Sequence, residues 1–255
     1  MERIDDILGY KELKIYQNSE YFAFSLDSII LANYCNIRLR DKNIVDFCTG
    51  NAIVPLILSQ RTKANIYGVE IQETIFSLAE KSVVSNGLEK QIKIVKQDVK
   101  DFAKENISKF DLVLCNPPYF KINEKSSLNE SYEKKIARHE LLLNLEEMCD
   151  AVKKVLKDNG NFCLVHRTDR LMEILEVLRS NNLEPKKIKF IHEKINKEAT
   201  LFLIEAQKLG KVGLKVEKPL ILYDLDGKMT PEYKELQEEV KIWFNIVMMI
   251  VLVYI

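Results

Sequence analysis

Between residues 111 and 120 the sequence reads Asp-Leu-Val-Leu-Cys-Asn-Pro-Pro-Tyr-Phe, in which an apolar run ends in an amide, two prolines and two aromatic rings. Residues 112–115 are continuously apolar, as expected of a parallel strand that is covered on both faces. Neither Pro117 nor Pro118 has an N–H group to continue a ladder of hydrogen bonds. Asn116 is therefore expected at the carboxyl end of a buried strand, where open α/β sheets bind ligands. The alternative is a proline turn that only ends a strand.

The rest of the chain alternates short apolar segments with helical ones. Strands are expected at 44–47, 66–70, 92–95, 111–115 and 161–166, and helices at 52–60, 74–86, 145–156 and 170–181. This alternation predicts βαβ units and a parallel sheet. Two more strands, at 185–191 and 200–205, follow one another without a helix and are expected to pair antiparallel. The predicted fold is α/β, with a seven-stranded, mostly parallel sheet and a terminal antiparallel hairpin.

Three parts of unequal length are expected along the chain. Residues 1–40 form a lead-in with two short strands, at 13–16 and 21–24, and a helix at 25–34 that Ser25 would cap. Residues 41–236 form the main domain, in which 121–135 is expected to be a lid or substrate loop. Residues 237–255 form an apolar tail. A membrane helix needs roughly 20 apolar residues, so a core segment, a partner-facing segment or a non-native end is expected instead.

Composition excludes several classes of protein. The 38 basic and 38 acidic residues balance, so any binding of nucleic acid would need a local basic patch. Five cysteines without a Cys-x-x-Cys spacing predict reduced thiols in a cytoplasmic protein, with neither disulfides nor zinc. The amino terminus has neither the basic start nor the apolar run of a signal peptide, and we expect no membrane association.

Polar residues follow four successive strands of the predicted sheet. Asp46, Glu70, Asp98 and Asn116 stand at or just beyond the carboxyl ends of strands one to four. The carboxyl ends of parallel strands meet at one edge of a sheet, so we expect these side chains to lie together. Taken singly, Glu70 is a common strand-end charge and Asp98 a common helix N-cap. Their joint placement predicts a binding site.

The residues at this edge resemble the motifs of the Rossmann-like class I methyltransferases that use S-adenosyl-L-methionine. Asp46-Phe-Cys-Thr-Gly-Asn-Ala52 is similar to their Asp-x-x-x-Gly-x-Gly motif, with Cys48 and Ala52 in place of flanking glycines. Asn-Pro-Pro-Tyr at 116–119 resembles the motif of those that methylate amines. The resemblance implies a cofactor site formed by the residues that follow: Asp46, Thr49, Gly50, Glu70, Asp98 and Asn116.

The same resemblance implies a catalytic role for Asn116, Pro117 and Tyr119. An exocyclic amine is a weak nucleophile because its lone pair is delocalised. The Asn116 side-chain carbonyl and the Pro117 backbone carbonyl can accept its N–H groups during attack, and Tyr119 can stack on the ring. No strong general base or metal is required, so His139 and His166 are expected to have structural roles.

Further segments resemble the bacterial tRNA(Val) adenine-N6-methyltransferases. They are 17–32, 137–140, 164–167 and 214–219, and the likeness covers about residues 3–236. The family implies N6-methylation of the adenine 3′ of the anticodon. Other acceptors stay open, namely guanine N2 in ribosomal RNA and protein glutamine. The substituted glycines also leave open a non-catalytic RNA-binding relative.

A tRNA partner requires a basic surface. Lysines exceed glutamates by nine to four between residues 186 and 218, which predicts an RNA contact on the hairpin, although lysines on a strand edge are often only solvated. The expected RNA-binding residues are Arg138, His139, Arg167, Lys186, Lys187 and Lys189.

Overall fold

The computed structural model describes residues 2–18, 26–117 and 143–235. The strands are β1 (Glu2–Ile7), β2 (Tyr10–Asn18), β3 (Asn43–Phe47), β4 (Asn65–Glu70), β5 (Ile92–Lys96), β6 (Phe110–Cys115), β7 (Leu156–Arg167), β8 (Leu183–Lys194), β9 (Ala199–Lys208), β10 (Lys215–Val216) and β11 (Leu220–Tyr223). The helices are α1 (Leu26–Tyr34), α2 (Ile53–Ser59), α3 (Glu73–Ser85), α4 (Val99–Glu105), α5 (Leu145–Val155) and α6 (Leu171–Ser180), with a 3₁₀ turn at Thr168–Arg170.

The main sheet has nine strands in the order β10-β8-β9-β7-β6-β3-β4-β5, with β11 also paired to β8. Strands β3 to β7 run parallel to one another, and β9 runs antiparallel to both β7 and β8. The predicted α/β fold, with a mostly parallel sheet and a terminal antiparallel hairpin, is confirmed. The seven expected strands are present, and the short β10 and β11 extend the sheet beside β8.

Alternation along the strands divides the core into two faces. Ile44 of β3 belongs to the core that α1, α2 and α3 cover, whereas Val45 and Phe47 belong to the core that α4, α5 and α6 cover. Successive side chains of a strand point to opposite faces, so a parallel strand buried on both sides is apolar at most of its positions, as residues 112–115 of β6 are. This explains why the continuous apolar runs predicted the strands well.

The β1–β2 hairpin is antiparallel and packs on the same core as α1 and α3, through Ile7, Leu13 and Ile15. The backbone of Lys14 exchanges two hydrogen bonds with the side chain of Asn86 at the end of α3. The Tyr16 N–H donates to Ser82 Oγ of the same helix. Helix α3 therefore satisfies backbone groups of β2 that a further strand would otherwise pair.

Several predicted segments differ from the structure or lie outside it. The strand at 13–16 falls within β2, but its partner β1 was not predicted, and neither was α4. Residues 21–25, the loop at 121–135 and the tail at 237–255 lie outside the described residues. The division of the chain at residues 40 and 236 stays a prediction. Within the described ranges, no helix is long and apolar enough to cross a membrane.

Candidate active site

The register of the sheet brings four strand ends together. Strand β3 lies between β4 and β6, and Phe47 pairs with Val69 on one side and with Cys115 on the other. Glu70 at the end of β4 pairs with Lys96 at the end of β5. The residues that leave these strands therefore share one edge of the sheet, as the sequence predicted for Asp46, Glu70, Asp98 and Asn116.

The turn after β3 is held by Thr49. Its Oγ1 donates to Asp46 Oδ2 at 2.7 Å, and its backbone N–H donates to the carbonyl of Val69 at 3.0 Å. Asp46 is only 2% exposed. In this structure Asp46 therefore fixes the turn through Thr49, and the turn is tied to β4 as well as to β3.

Three alternate residues of this turn have left-handed backbone conformations. The φ angles of Cys48, Gly50 and Ala52 are 56°, 59° and 72°. These are the glycine positions of the motif that the sequence resembles. A residue with a Cβ atom costs about 1–2 kcal/mol in that conformation, so Cys48 and Ala52 hold the backbone path of the motif at some cost in stability. Cys48 and Ala52 therefore adopt the left-handed conformation that glycine favours.

Gly68 on β4 leaves room for Thr49. A Cβ atom at Gly68 would lie 2.8 Å from Thr49 Oγ1, 2.9 Å from Thr49 Cγ2 and 3.0 Å from Ile94 Cδ1. Contacts this short force a neighbour to move. Gly68 is therefore part of the support of the turn, and sequence reasoning missed it because one glycine within a strand carries no signal for what packs on it.

Glu70 is buried and closely held. The Gly50 N–H donates to Glu70 Oε2 at 3.1 Å, and the Gln72 N–H donates to Glu70 Oε1 at 2.9 Å. Burial raises the pKa of the Glu70 carboxyl, and these backbone hydrogen bonds oppose the increase. Oε2 is thus held at the turn after β3, and Oε1 is held at the segment between β4 and α3.

Asp98 caps α4. Its Oδ1 accepts from the Lys100 N–H at 2.7 Å, so the structural role that the sequence offered for Asp98 is present. Gln97, just before it, donates its backbone N–H to the carbonyl of Glu70 at 3.1 Å. This bond ties the segment after β5 to the end of β4, and Asp98 therefore stays at the edge that carries Glu70.

Asn116 leaves β6 toward α1. Its Nδ2 donates to Ser28 Oγ at 2.7 Å, and Ser28 is 7% exposed. Ser28 was predicted only as part of the first turn of a helix, and its contact with Asn116 was not anticipated. The two residues are 88 positions apart, and short-range patterns do not report contacts at that separation.

His166 lies at the end of β7 and is 2% exposed. Burial, together with nearby Arg170, lowers the pKa of His166 to about 4. Its Nδ1 accepts the Arg167 N–H at 2.8 Å. The imidazole is therefore neutral at physiological pH and satisfies a backbone group, in keeping with the structural role expected of it.

The remaining predicted residues divide into two groups. Tyr119, Arg138 and His139 lie outside the described residues, whereas Pro117 directly follows Asn116 within them. The predicted basic residues on β7 and β8 each have a polar partner nearby: Arg167 has Asp169 at 3.5 Å, Lys187 has Glu205 at 3.6 Å, Lys189 has Glu217 at 3.8 Å, and Lys186 has the Lys211 carbonyl at 2.7 Å.

The turn after β3 and Glu70 fit a nucleoside cofactor. Nothing lies within 4 Å of where a Cβ atom of Gly50 would stand, so a ligand can approach the backbone there. A buried carboxylate beside such a glycine turn is the group that receives ribose hydroxyls in related α/β folds. No cluster of three or more His, Cys, Asp or Glu that could hold a metal occurs in the described part of the chain.

A parallel sheet with its polar edge built in this way defines a class I S-adenosyl-L-methionine-dependent methyltransferase. The family model of the methyltransferase small domain matches residues 26–181, and the chain belongs to that family. The match begins at α1 and ends just after α6, so it includes every strand end of the site.

Curated relatives span nearly the whole chain. A tRNA1(Val) (adenine(37)-N6)-methyltransferase of Haemophilus influenzae (strain PittEE) is 27% identical over 90% of this chain and 96% of its own. The protein of the same name from Actinobacillus pleuropneumoniae serotype 7 (strain AP76) is 27% identical over 89% of this chain and 93% of its own.

Solved structures share the fold. A predicted O-methyltransferase from Agrobacterium tumefaciens matches with a TM-score of 0.66 and 20% identity, covering 83% of this chain and 95% of its own. A geranyl diphosphate methyltransferase in complex with GPP and sinefungin matches with a TM-score of 0.53 and 11% identity, covering 71% and 77%. At such identities these structures bear on the fold alone.

Proposed function

We propose that the protein transfers a methyl group from S-adenosyl-L-methionine to N6 of an adenine in tRNA, the base 3′ of the anticodon in tRNA(Val). The observation that carries the proposal is the placement of Asn116 and Pro117, directly after β6 and beside the turn that fits the cofactor. The names of relatives that span nine-tenths of this chain support the choice of acceptor.

Positioning is the main task of the protein in this reaction. The cofactor supplies a methyl group made electrophilic by a sulfonium. Glu70 would accept hydrogen bonds from the ribose hydroxyls of the cofactor. The turn at Thr49 and Gly50 would let the cofactor approach the backbone closely. The segment at Asp98 would lie beside the base of the cofactor. Asn116 Oδ1 and the Pro117 carbonyl would accept the two N–H groups of the target amine, which frees its lone pair for attack.

An anticodon-loop base suits such a site because it is already partly unstacked and enters a pocket at low cost. Tyr119 would stack on that base. Arg138, His139 and Arg167 would contact phosphates near the polar edge, and Lys186, Lys187 and Lys189 would do so along β8. A cytoplasmic location follows from a tRNA substrate.

The experiment is methylation of a tRNA pool with labelled cofactor, followed by nucleoside mass spectrometry and mapping of the modified position. N6-methyladenosine 3′ of the anticodon is the expected product. N2-methylguanosine, or methylation of a protein glutamine, would overturn the proposed acceptor. Absence of heat in a calorimetric titration with millimolar cofactor would favour a non-catalytic RNA-binding relative.

Asn116→Ala tests the role of the amide. The variant loses an acceptor that acts on the reacting amine, so methyl transfer should fall by about 10²-fold or more. Cofactor affinity should change little, because Glu70 and the turn after β3 are intact. Asn106→Ala, which removes an amide bonded to the Phe102 carbonyl near the end of α4, is the matched control and should retain full activity. Full activity in Asn116→Ala would contradict the mechanism.

A further inference from the structure

The geometry points to Ser28 as a positioning residue that sets which end of the Asn116 amide faces the acceptor amine. Ser28 Oγ accepts from Asn116 Nδ2 at 2.7 Å, so the carbonyl oxygen occupies the other branch of the amide. The inference rests on the proposed function, because it is there that Asn116 Oδ1 accepts an N–H group of the substrate.

An asparagine amide needs such a partner. Its two ends have nearly the same shape but opposite hydrogen-bonding character, and rotation about its last torsion is broad and nearly two-fold. In the wrong orientation an NH2 group would face the N–H groups of the amine. A hydrogen bond to a fixed partner removes this ambiguity and keeps the acceptor in place before the substrate binds.

Helix α1 makes Ser28 a fixed partner. The four residues after Ser28, residues 29–32, are all buried in the core, with relative exposures of 0–1%. Ser28 as a whole residue is 7% exposed, so few water molecules compete for the contact. A serine anchored in this way can hold an amide that directly follows β6, on a different segment of the chain.

Ser28→Ala tests the inference through its separate effects on kcat and on KM. Loss of the hydroxyl removes this constraint on the orientation of the amide, so kcat should fall about tenfold while KM for the cofactor and for tRNA changes less than twofold. Ser59→Ala is the matched control, since Ser59 is also a buried helical serine but bonds the Leu56 carbonyl of its own helix. It should keep the kcat of the parent protein.

A second measurement reports the contact without any substrate. In ¹H–¹⁵N spectra, the side-chain NH2 pair of Asn116 is identified by its absence in Asn116→Asp. In Ser28→Ala this pair should move toward the position of a solvent-exposed asparagine, and in Ser59→Ala it should stay in place.

The kinetic and the NMR measurements together distinguish failure of the proposed function from failure of the inference about Ser28. If the parent protein methylates no adenine in RNA, the proposed function fails, but the NH2 pair still tests the role of Ser28. A pair that does not move in Ser28→Ala overturns the inference. So does a kcat within twofold of the parent value, measured on whichever acceptor the enzyme methylates.

Discussion

The single residue Asp46 makes the free energy of unfolding depend on pH. Burial raises the pKa of this carboxyl from 3.8 to about 8, against the opposing effect of the Thr49 hydrogen bond. Because the folded state keeps the proton more tightly than the unfolded chain, the contribution of Asp46 is fully present below about pH 4 and is lost as the pH rises toward 8.

Asp46→Asn should flatten this dependence, because an amide can accept from Thr49 without titrating. Urea unfolding at pH 5, 6.5 and 8 should show a smaller decrease in the free energy of unfolding than in the parent protein. Some decrease should remain, since burial also raises the pKa of Glu70. Asp158→Asn, an exposed carboxyl, is the control. An unchanged slope in Asp46→Asn would contradict the assignment.

Gly68→Ala should loosen the turn after β3. The added methyl meets Thr49 and Ile94 at 3.0 Å or less, and overpacking of this kind costs about 1–3 kcal/mol of stability. We expect a lower urea midpoint and weaker cofactor binding in calorimetric titration. In Thr49→Ala the clash with Thr49 is absent, so the effects of Gly68→Ala and Thr49→Ala should not add. Additive losses would show that Thr49 is not what Gly68 accommodates.

Single residues were predictable where they occupy the same position relative to successive strands. Asp46, Glu70, Asp98 and Asn116 share a relation to strand ends, and that relation can be seen in one sequence. Ser28 has a role only through a contact made across the fold. The sequence therefore predicted which residues lie at the carboxyl ends of these strands better than it predicted which residues hold them in place.

At the scale of elements, the β1–β2 hairpin packs its apolar residues into the hydrophobic core on one face of the main sheet. Ile15 is fully buried, so Ile15→Ala should lower the free energy of unfolding by about 2–5 kcal/mol. Ile4, 54% exposed on β1, offers a matched control whose replacement by alanine should change it by less than about 0.5 kcal/mol. Equal effects would mean that the hairpin does not pack as described.

Elements were predictable when both of their faces are covered. Residues 112–115 of β6 are continuously apolar because both faces of this central strand are covered. The buried helix α2 is also almost wholly apolar, so the flanking turn residues and the segment length are needed to tell the two apart. Strand β1, Glu-Arg-Ile-Asp-Asp-Ile, has one buried residue in six and forms by pairing with β2. Helix α4 has three buried residues in seven, whereas α2, which has the same length, is buried throughout. The apolar pattern of α4 is therefore too weak to detect, and β10 and β11 have only two and four residues.

For the whole molecule, lysines on strands at opposite sides of the sheet allow a comparison of their contributions to tRNA binding. Lys186, Lys187 and Lys189 lie on β8 near one edge, and Lys93 lies on β5 at the other. If the β8 lysines neutralise phosphates, Lys→Gln at all three should weaken binding and reduce the slope of log K against log salt by about 0.7–0.9 for each phosphate that is no longer neutralised. Glutamine avoids placing new carboxylates beside Glu205 and Glu217.

The control is Lys90→Gln with Lys93→Gln near the β5 edge, which should leave the slope unchanged. Thermal unfolding of both variants checks that the fold is intact, because Glu205 is 6% exposed and loses an ion-pair partner when Lys187 is replaced. An unchanged slope in the β8 variant would remove these lysines from the interface.

The contact between Ser28 and Asn116 can form only late in synthesis on the ribosome, because the two residues are 88 positions apart. Helix α1 leaves the ribosome early, yet the asparagine it holds is made only after β3, β4 and β5. Until β6 emerges, one edge of β3 has no neighbour and the apolar side of α1 lacks part of its cover. A nascent chain that ends before β6 therefore exposes apolar surface of α1 and β3 that the complete fold covers. Synthesis of β6 then gives β3 its second neighbour and brings Asn116 to Ser28, while β7, β8 and β9 have still to join the sheet on the other side of β6.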